Sequence, residues 1–169
     1  MLATLRRLLQ HRLLDQADTH KAIPPDMVTR LTQRVAASER RHTGEIRVCV
    51  EASLPTSYVL RRATARERAV AQFGKLRVWD TEHNNGVLVY LLLAERAIEI
   101  VADRGLARRV EAGEWQRIVQ RMGSAFRDRR YEDGLTQALE EVSALLVQHF
   151  PATEGEVRAN ELPDEPVLD

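Results

Sequence analysis

Apolar and polar positions alternate over residues 45–51, with Ile46, Val48 and Val50 on one face and Arg47, Cys49 and Glu51 on the other. That period of two predicts a strand. Residues 87–93 form the most apolar run in the chain, broken only by Tyr90, as in a strand covered on both faces. Between them, after Pro55, residues 56–76 read as one helix of about five turns, with Val59, Ala63, Val70 and Phe73 inward and Arg61, Arg62, Arg66 and Arg68 on a solvated face. A strand, a crossover helix and a second strand form a right-handed unit with the two strands parallel. Ala94, Glu95 and Arg96 are too few for another crossover, so residues 97–102 must return antiparallel as a hairpin.

Helical periods fill the rest. Ile23, Met27, Leu31 and Val35 repeat every four residues in a helix opened by Pro24, Pro25 and Asp26 and ending near Gly44. Trp115, Ile118, Val119, Met122 and Phe126 mark another, and Leu135, Leu139, Val142 and Leu146 a third after a turn at residues 131–134. Residues 1–14 form a basic amphipathic segment with Leu2, Leu5, Leu9 and Leu13 along one side and no acid to oppose its arginines, a pattern suited to peripheral contact with an anionic membrane. Residues 15–21 read as a linker, so the layout is a segment and linker over 1–22, an α/β domain over 23–150 and an acidic mobile tail over 151–169.

Composition adds modest limits. The chain has 169 residues and a formal net charge of zero. Six acids against one arginine in the tail leave the body at about +5. Cys49 is the single cysteine, so no internal disulfide can form. No apolar run approaches the roughly 18 residues of a membrane-spanning helix. Arg6, Arg7, His11 and Arg12 interrupt the N-terminal stretch too often for a signal-peptide core. The expected location is cytoplasmic, peripheral to the inner membrane at most.

The hairpin places candidate chemistry at one end of the sheet. Its open end joins Asn84, Asn85 and Gly86 to Asp103 and Arg104, and the parallel first strand brings Glu45 to the same end. Asp80 and Glu82 lie just upstream. Glu45, Asp80, Glu82, Asn84, Asn85 and Asp103 are oxygen donors of the kind Ca2+ or Mg2+ prefers, although their spacing matches no EF-hand loop. His83 in the same loop is a candidate acid or base. The sequence has no GxSxG elbow, no phosphate-cradling GxxxxGK[ST], no dinucleotide fingerprint and no zinc-ligand spacing. The aromatics fall at core periodicities, which argues against nucleic-acid binding.

Thr43-Gly44-Glu45-Ile46, Asn85-Gly86-Val87-Leu88, Ile98-Glu99-Ile100-Val101, Gly105-Leu106, Tyr131 and Gly134-Leu135 together resemble the TPM domain family, which includes thylakoid lumen photosystem repair proteins and many bacterial proteins. The resemblance implies a three-layer α/β/α sandwich around a small mixed central sheet. It implies two activities, calcium binding by acids at the loop end and acid phosphatase action on phosphomonoesters. The family's frequent acid before Asn-Gly is Asn84 here, while Asp103 replaces the first glycine of its usual Gly-x-Gly, so one acid is lost and another gained. Bacterial relatives often accompany membrane proteins. The resulting expectation is a binding or accessory module for a membrane-associated protein partner, with metal-assisted phosphatase as the alternative.

Overall fold

Backbone pairing of two short apolar segments builds the centre of the molecule. The computed structural model describes residues 2–153, 155 and 158–169, with side chains described from residue 5 onward. Strand β1 (Ile46–Glu51) runs parallel to β2 (Val87–Leu92), with Ile46 opposite Val87 and Glu51 opposite Leu92. Strand β3 (Ala97–Ala102) returns antiparallel, pairing Ala102 with Val87. The crossover and hairpin are those the sequence predicts. A fourth strand, β4 (Val167–Leu168), adds parallel to β1, giving the order β3-β2-β1-β4.

Helices cover both faces of this sheet. Ile46, Val48, Val50, Val87, Val89, Leu91, Ile98 and Ile100 pack into one core with helices α3 (Pro25–Glu39), α7 (Ala112–Arg127) and α8 (Tyr131–His149). Cys49, Leu88, Tyr90, Leu92 and Val101 form the other core with α5 (Ala65–Lys75) and, at its margin, Leu8 of α1 (Leu2–Arg12). The result is the expected three-layer α/β/α arrangement. Gly86 admits the chain to β2 because the Val78 carbonyl packs where a β-carbon would stand.

Several local expectations are corrected. Residues 15–21 are no linker: Asp15 and Asp18 form a capping box that starts α2 (Gln16–Ala22). The predicted crossover helix is two helices, α4 (Thr56–Leu60) and α5, parted by Arg62 at φ +58° and restarted by the Thr64–Glu67 capping box. The restart resets the helical phase, so Ala65, Ala69 and Gln72 point inward and Val70 is 51% exposed. Helix α3 stops at Glu39, ahead of Gly44, and residues 131–134 belong to the first turn of α8. A short α6 (Arg104–Ala107) follows β3. The acidic tail, expected to be mobile, is seated on β1 over residues 158–169: Leu162 is buried, the Asp169 amide donates to the Val50 carbonyl, and the Ala52 amide to the Asp169 carbonyl, each at 2.9 Å.

The crossover arginines are not a free solvated face either. Arg61 stacks 4.3 Å from the Tyr58 ring, and Arg66 reaches the Ile100 carbonyl on the outer edge of β3. Arg68 turns inward to Glu51, donating from Nε at 2.8 Å and from Nη2 at 2.5 Å. Glu51 also accepts from Gln72 Nε2 and Tyr90 OH, both at 2.6 Å. Glu51 is 3% exposed, so removing its cation leaves a charge stranded in the core. Arg68→Met should therefore lower unfolding free energy by about 3 to 5 kcal/mol. Tyr90→Phe, which removes one donor, should cost about 1 to 3 kcal/mol. Urea denaturation at neutral pH measures both, and a negligible loss in Arg68→Met would show that the network does not hold α5 to the sheet.

Candidate functional site

The open end of the hairpin is assembled by backbone bonds before any side chain takes part. The Asp103 amide donates to the Gly86 carbonyl at 2.8 Å, and the Gly105 amide to the Asn84 carbonyl at 2.8 Å. Asn84 sits at φ +51°, a left-handed conformation that asparagine tolerates. Its Oδ1 accepts from Arg104 Nη2 at 2.8 Å and Nε at 3.1 Å. Asp103 Oδ1 accepts the Arg104 amide at 2.6 Å and starts α6, while Oδ2 is buried without a hydrogen-bond partner. Asn85 is buried, its Nδ2 donating to Thr43 Oγ1 at 3.1 Å and its Oδ1 left without a partner.

The same end receives β1. The Glu45 carbonyl accepts the Val87 amide at 2.8 Å, so Glu45 stands where the parallel pairing predicts. The other predicted oxygens diverge. Asp80 pairs with Arg77, the Glu82 side chain is exposed, and His83 is exposed. Among the described residues, no group of three His, Cys, Asp or Glu side chains is disposed to hold a metal ion.

The Glu45 carboxylate turns toward residues that sequence reading missed. It accepts the Leu162 amide at 3.2 Å, and the Glu82 amide donates to Glu161 Oε2 at 2.9 Å. The C-terminal segment thus crosses the loop end of the sheet. Beside it lies a cavity of about 610 Å³ lined by Glu39, His42, Glu45, Arg158 and Asp164, among others. Glu39 accepts the Ile46 amide at 2.7 Å. Burial, reinforced by Glu45 and by a hydrogen bond with Asp164, pushes the Glu39 carboxyl up to about 9 against the stabilising Ile46 bond. Burial also raises Glu45, with Glu161 and Asp164 adding to it. His42 is fully buried; its Nδ1 donates to the Gly44 carbonyl at 3.0 Å and its Nε2 accepts from Ser38 Oγ at 2.8 Å. Burial pushes it down to about 4. Neither Glu39 nor His42 belongs to a spaced motif, since both become site residues only when the tail folds across them. Cys49 is buried, and burial pushes its thiol up to about 12, which removes it as a thiolate nucleophile.

An open mixed sheet between two helical layers, with its polar groups gathered where the parallel strands begin, defines an α/β/α sandwich domain of the TPM type. The family model described as TPM domain matches residues 16–145, and the chain belongs to that family. Its fold is similar to that of the BA42 protein from the psychrophilic bacterium Bizionia argentinensis, at 22% identity and a TM-score of 0.71, over 88% of this chain and 92% of that one. It is also similar to the N-terminal domain of a protein from P. gingivalis, at 22% identity and a TM-score of 0.56, over 72% of this chain and 76% of that one. No curated protein sequence matches the chain.

The half-buried acid Glu39 and the buried His42 give opposite pH dependences. Glu39 holds its proton more tightly in the folded state than in the unfolded chain, so its contribution is complete at low pH and is lost as pH rises toward about 9. His42 is kept neutral by burial, so its contribution is present above its ordinary value of 6.5 and is lost as pH falls toward about 4. From pH 6.5 to 9 the wild-type protein should lose stability, and Glu39→Gln should flatten that slope while keeping an acceptor for Ile46. Urea midpoints across this range check it; an unchanged slope in the variant would exclude Glu39 as the cause.

Proposed function

We propose that this TPM-domain protein is an accessory binding module for a membrane-associated protein partner, kept near the membrane surface by α1. The observation that supports this reading is the outward face of α1 together with Leu13 just beyond its end. Leu5, Leu9 and Leu13 are 56%, 55% and 80% exposed at helical spacing, with exposed Arg6 and Arg12 beside them. Leu2, the first leucine of the expected stripe, has a side chain outside the described residues. The opposite face is fastened to the domain: Arg7 bonds Glu95 at 2.7 Å, His11 Nε2 meets Glu95 at 2.9 Å, and the Leu54 amide donates to His11 Nδ1 at 3.0 Å. Helix α1 therefore presents leucines outward without leaving its seat, the arrangement of an interfacial anchor. Among the described residues no helix is long and apolar enough to cross a membrane.

A divalent cation at the loop end is a second reading, favoured by the buried, unpartnered Asp103 Oδ2. A hard cation would take that oxygen together with loop oxygens. Asp80, held by Arg77, would have to leave its partner to join, and the Glu82 side chain is exposed, so the residues as placed supply one buried unpartnered carboxylate oxygen rather than a ligand cage. The phosphatase alternative depends on the same oxygen.

Vesicles containing anionic lipid should co-sediment the full chain, and Leu9→Glu/Leu13→Glu should sediment several-fold less. Both positions are exposed, so the fold survives the change, and equal sedimentation would rule out α1 as the anchor. Millimolar calcium should shift the amide resonances of residues 80–86 and Asp103 in the wild type and leave Asp103→Asn unmoved. No shift in the wild type would dismiss the cation, and hydrolysis of a generic phosphomonoester surviving in Asp103→Ala would dismiss the phosphatase.

A further inference from the structure

The turn that joins β2 to β3, at residues 93–96, stands at the other end of the sheet from Asn84 and Asp103. A cavity of about 720 Å³ opens there, between the turn, α2, the start of α8 and the residues that follow α1. Its volume is within the usual range of a small-molecule site. Leu14, Ala22 and Leu93 give it an apolar wall, and Lys21, Arg96 and Arg129 bring three cations to it. Tyr131, half-buried, adds a phenol to the lining.

The two carboxylates of this cavity are already engaged. Glu95 accepts from Arg7 at 2.7 Å and meets His11 Nε2 at 2.9 Å. Asp18 takes Lys21 at 3.2 Å and the Asp15 amide at 3.1 Å. The two arginines are not engaged in the same way. Among the described residues neither is paired with a carboxylate, since Asp128 and Asp133 pair with Arg130, and Glu132 with Arg30. Arg96 donates from Nη1 to the Arg127 carbonyl at 3.0 Å, which uses one of the five donors that a guanidinium carries. What remains is a pair of planar donor forks beside an apolar wall. Such forks match phosphate oxygens, and the wall suits a phosphate carried on an apolar body better than a bare ion.

The cavity is continuous with the leucine face. Leu13 belongs to both, being exposed in line with Leu5 and Leu9 and also lining the cavity. Gln10 ties α1 to the turn by donating to the Ala94 carbonyl, so the cavity and the leucines keep a fixed relation. An interfacial helix lies at the boundary between headgroups and acyl chains. A surface that receives Leu9 and Leu13 therefore brings its headgroup layer to Arg96 and Arg129.

We propose that this cavity binds the phosphate of an anionic phospholipid, with Arg96 and Arg129 donating to its oxygens and the apolar wall holding the adjoining glycerol and first acyl carbons. This rests on reading α1 as an interfacial anchor, and it names the lipid chemistry that the anchored protein selects. Binding at the cavity is measured without a membrane, so the two readings fail separately.

The probe is dihexanoyl phosphatidylglycerol, a short-chain anionic lipid used below its micelle concentration, titrated into the full chain and followed by amide chemical shifts. Shifts should gather at residues 93–96, Lys21, Arg129 and Tyr131. Arg96→Gln/Arg129→Gln should weaken binding at least about tenfold, the loss expected when two cations facing anionic lipid are removed. Arg96 also holds the Arg127 carbonyl, so Arg129→Gln alone is the variant that leaves this bond in place, and it should weaken binding several-fold. Leu5→Ser/Leu9→Ser, which alters the leucine face outside the cavity, should leave the short-chain affinity unchanged. Dihexanoyl phosphatidylcholine, zwitterionic with the same chains, and inorganic phosphate, which has no apolar body, should each bind several-fold more weakly. Equal binding of phosphatidylcholine would mean that only the acyl chains are held, and equal binding of inorganic phosphate would make a soluble phosphate the ligand. Either result, undiminished affinity in Arg129→Gln, or shifts confined to other parts of the protein would overturn the proposal.

Discussion

A charge placed in a sheet has to be met by another group, and along β1 and the residue that precedes it that requirement is imposed three times. Glu45, Arg47 and Glu51 are all nearly inaccessible, and each is satisfied by a part of the chain far away in sequence. Glu51 takes Arg68 and Gln72 from α5 and Tyr90 from β2. Arg47 takes two carbonyls from the C-terminal segment, and Glu45 takes an amide from it. The apolar side of β1 needs only burial, which many packings can provide. The polar side needs particular partners at particular distances, because an uncompensated buried charge is among the costliest defects a fold can carry. The positions of α5 and of the tail follow from this demand.

The same demand explains what the sequence made legible. A period of two located β1, a continuous apolar run β2 and a connection too short for a crossover β3, while helical periods located the large helices and chain length between apolar runs settled which strands were parallel. These are local signals, and the hairpin end they imply is the one found, with Asn84, Asn85, Gly86 and Asp103 together. The break between α4 and α5 was also written locally, in Thr64 followed three residues later by Glu67, as was the Asp15–Asp18 cap. The first was hidden in a stretch read as one continuous helix, and the second in a stretch read as a linker. The alternation in β1 placed Arg47, Cys49 and Glu51 on one face without showing what would cover them. A single sequence does not show which distant segment will cover an arginine.

The site divides along the same line. Residues joined by the hairpin were found from topology, whereas Glu39, His42, Arg158 and Asp164 come together only through tertiary packing of α3 and the tail. An acidic, proline-containing stretch has the composition of a disordered segment, since it offers little apolar surface to offset its ordering entropy. Here main-chain hydrogen bonds to an open strand edge make up much of the difference. Composition could not reveal this, because the acceptor edge lies about 120 residues away, as the pairing of Val50 with Leu168 records.

The short stretch after β1 has a consequence of its own. Ala52 donates its amide to the tail at Asp169, and two residues later Leu54 donates its amide to His11 on α1. Helix α1 and the C-terminal segment therefore hold adjacent links of one piece of backbone, from opposite ends of the chain. Whatever free energy couples them acts equally in both directions, so a change that shifts α1 alters the grip on the tail by the same factor that loosening the tail alters the seating of α1.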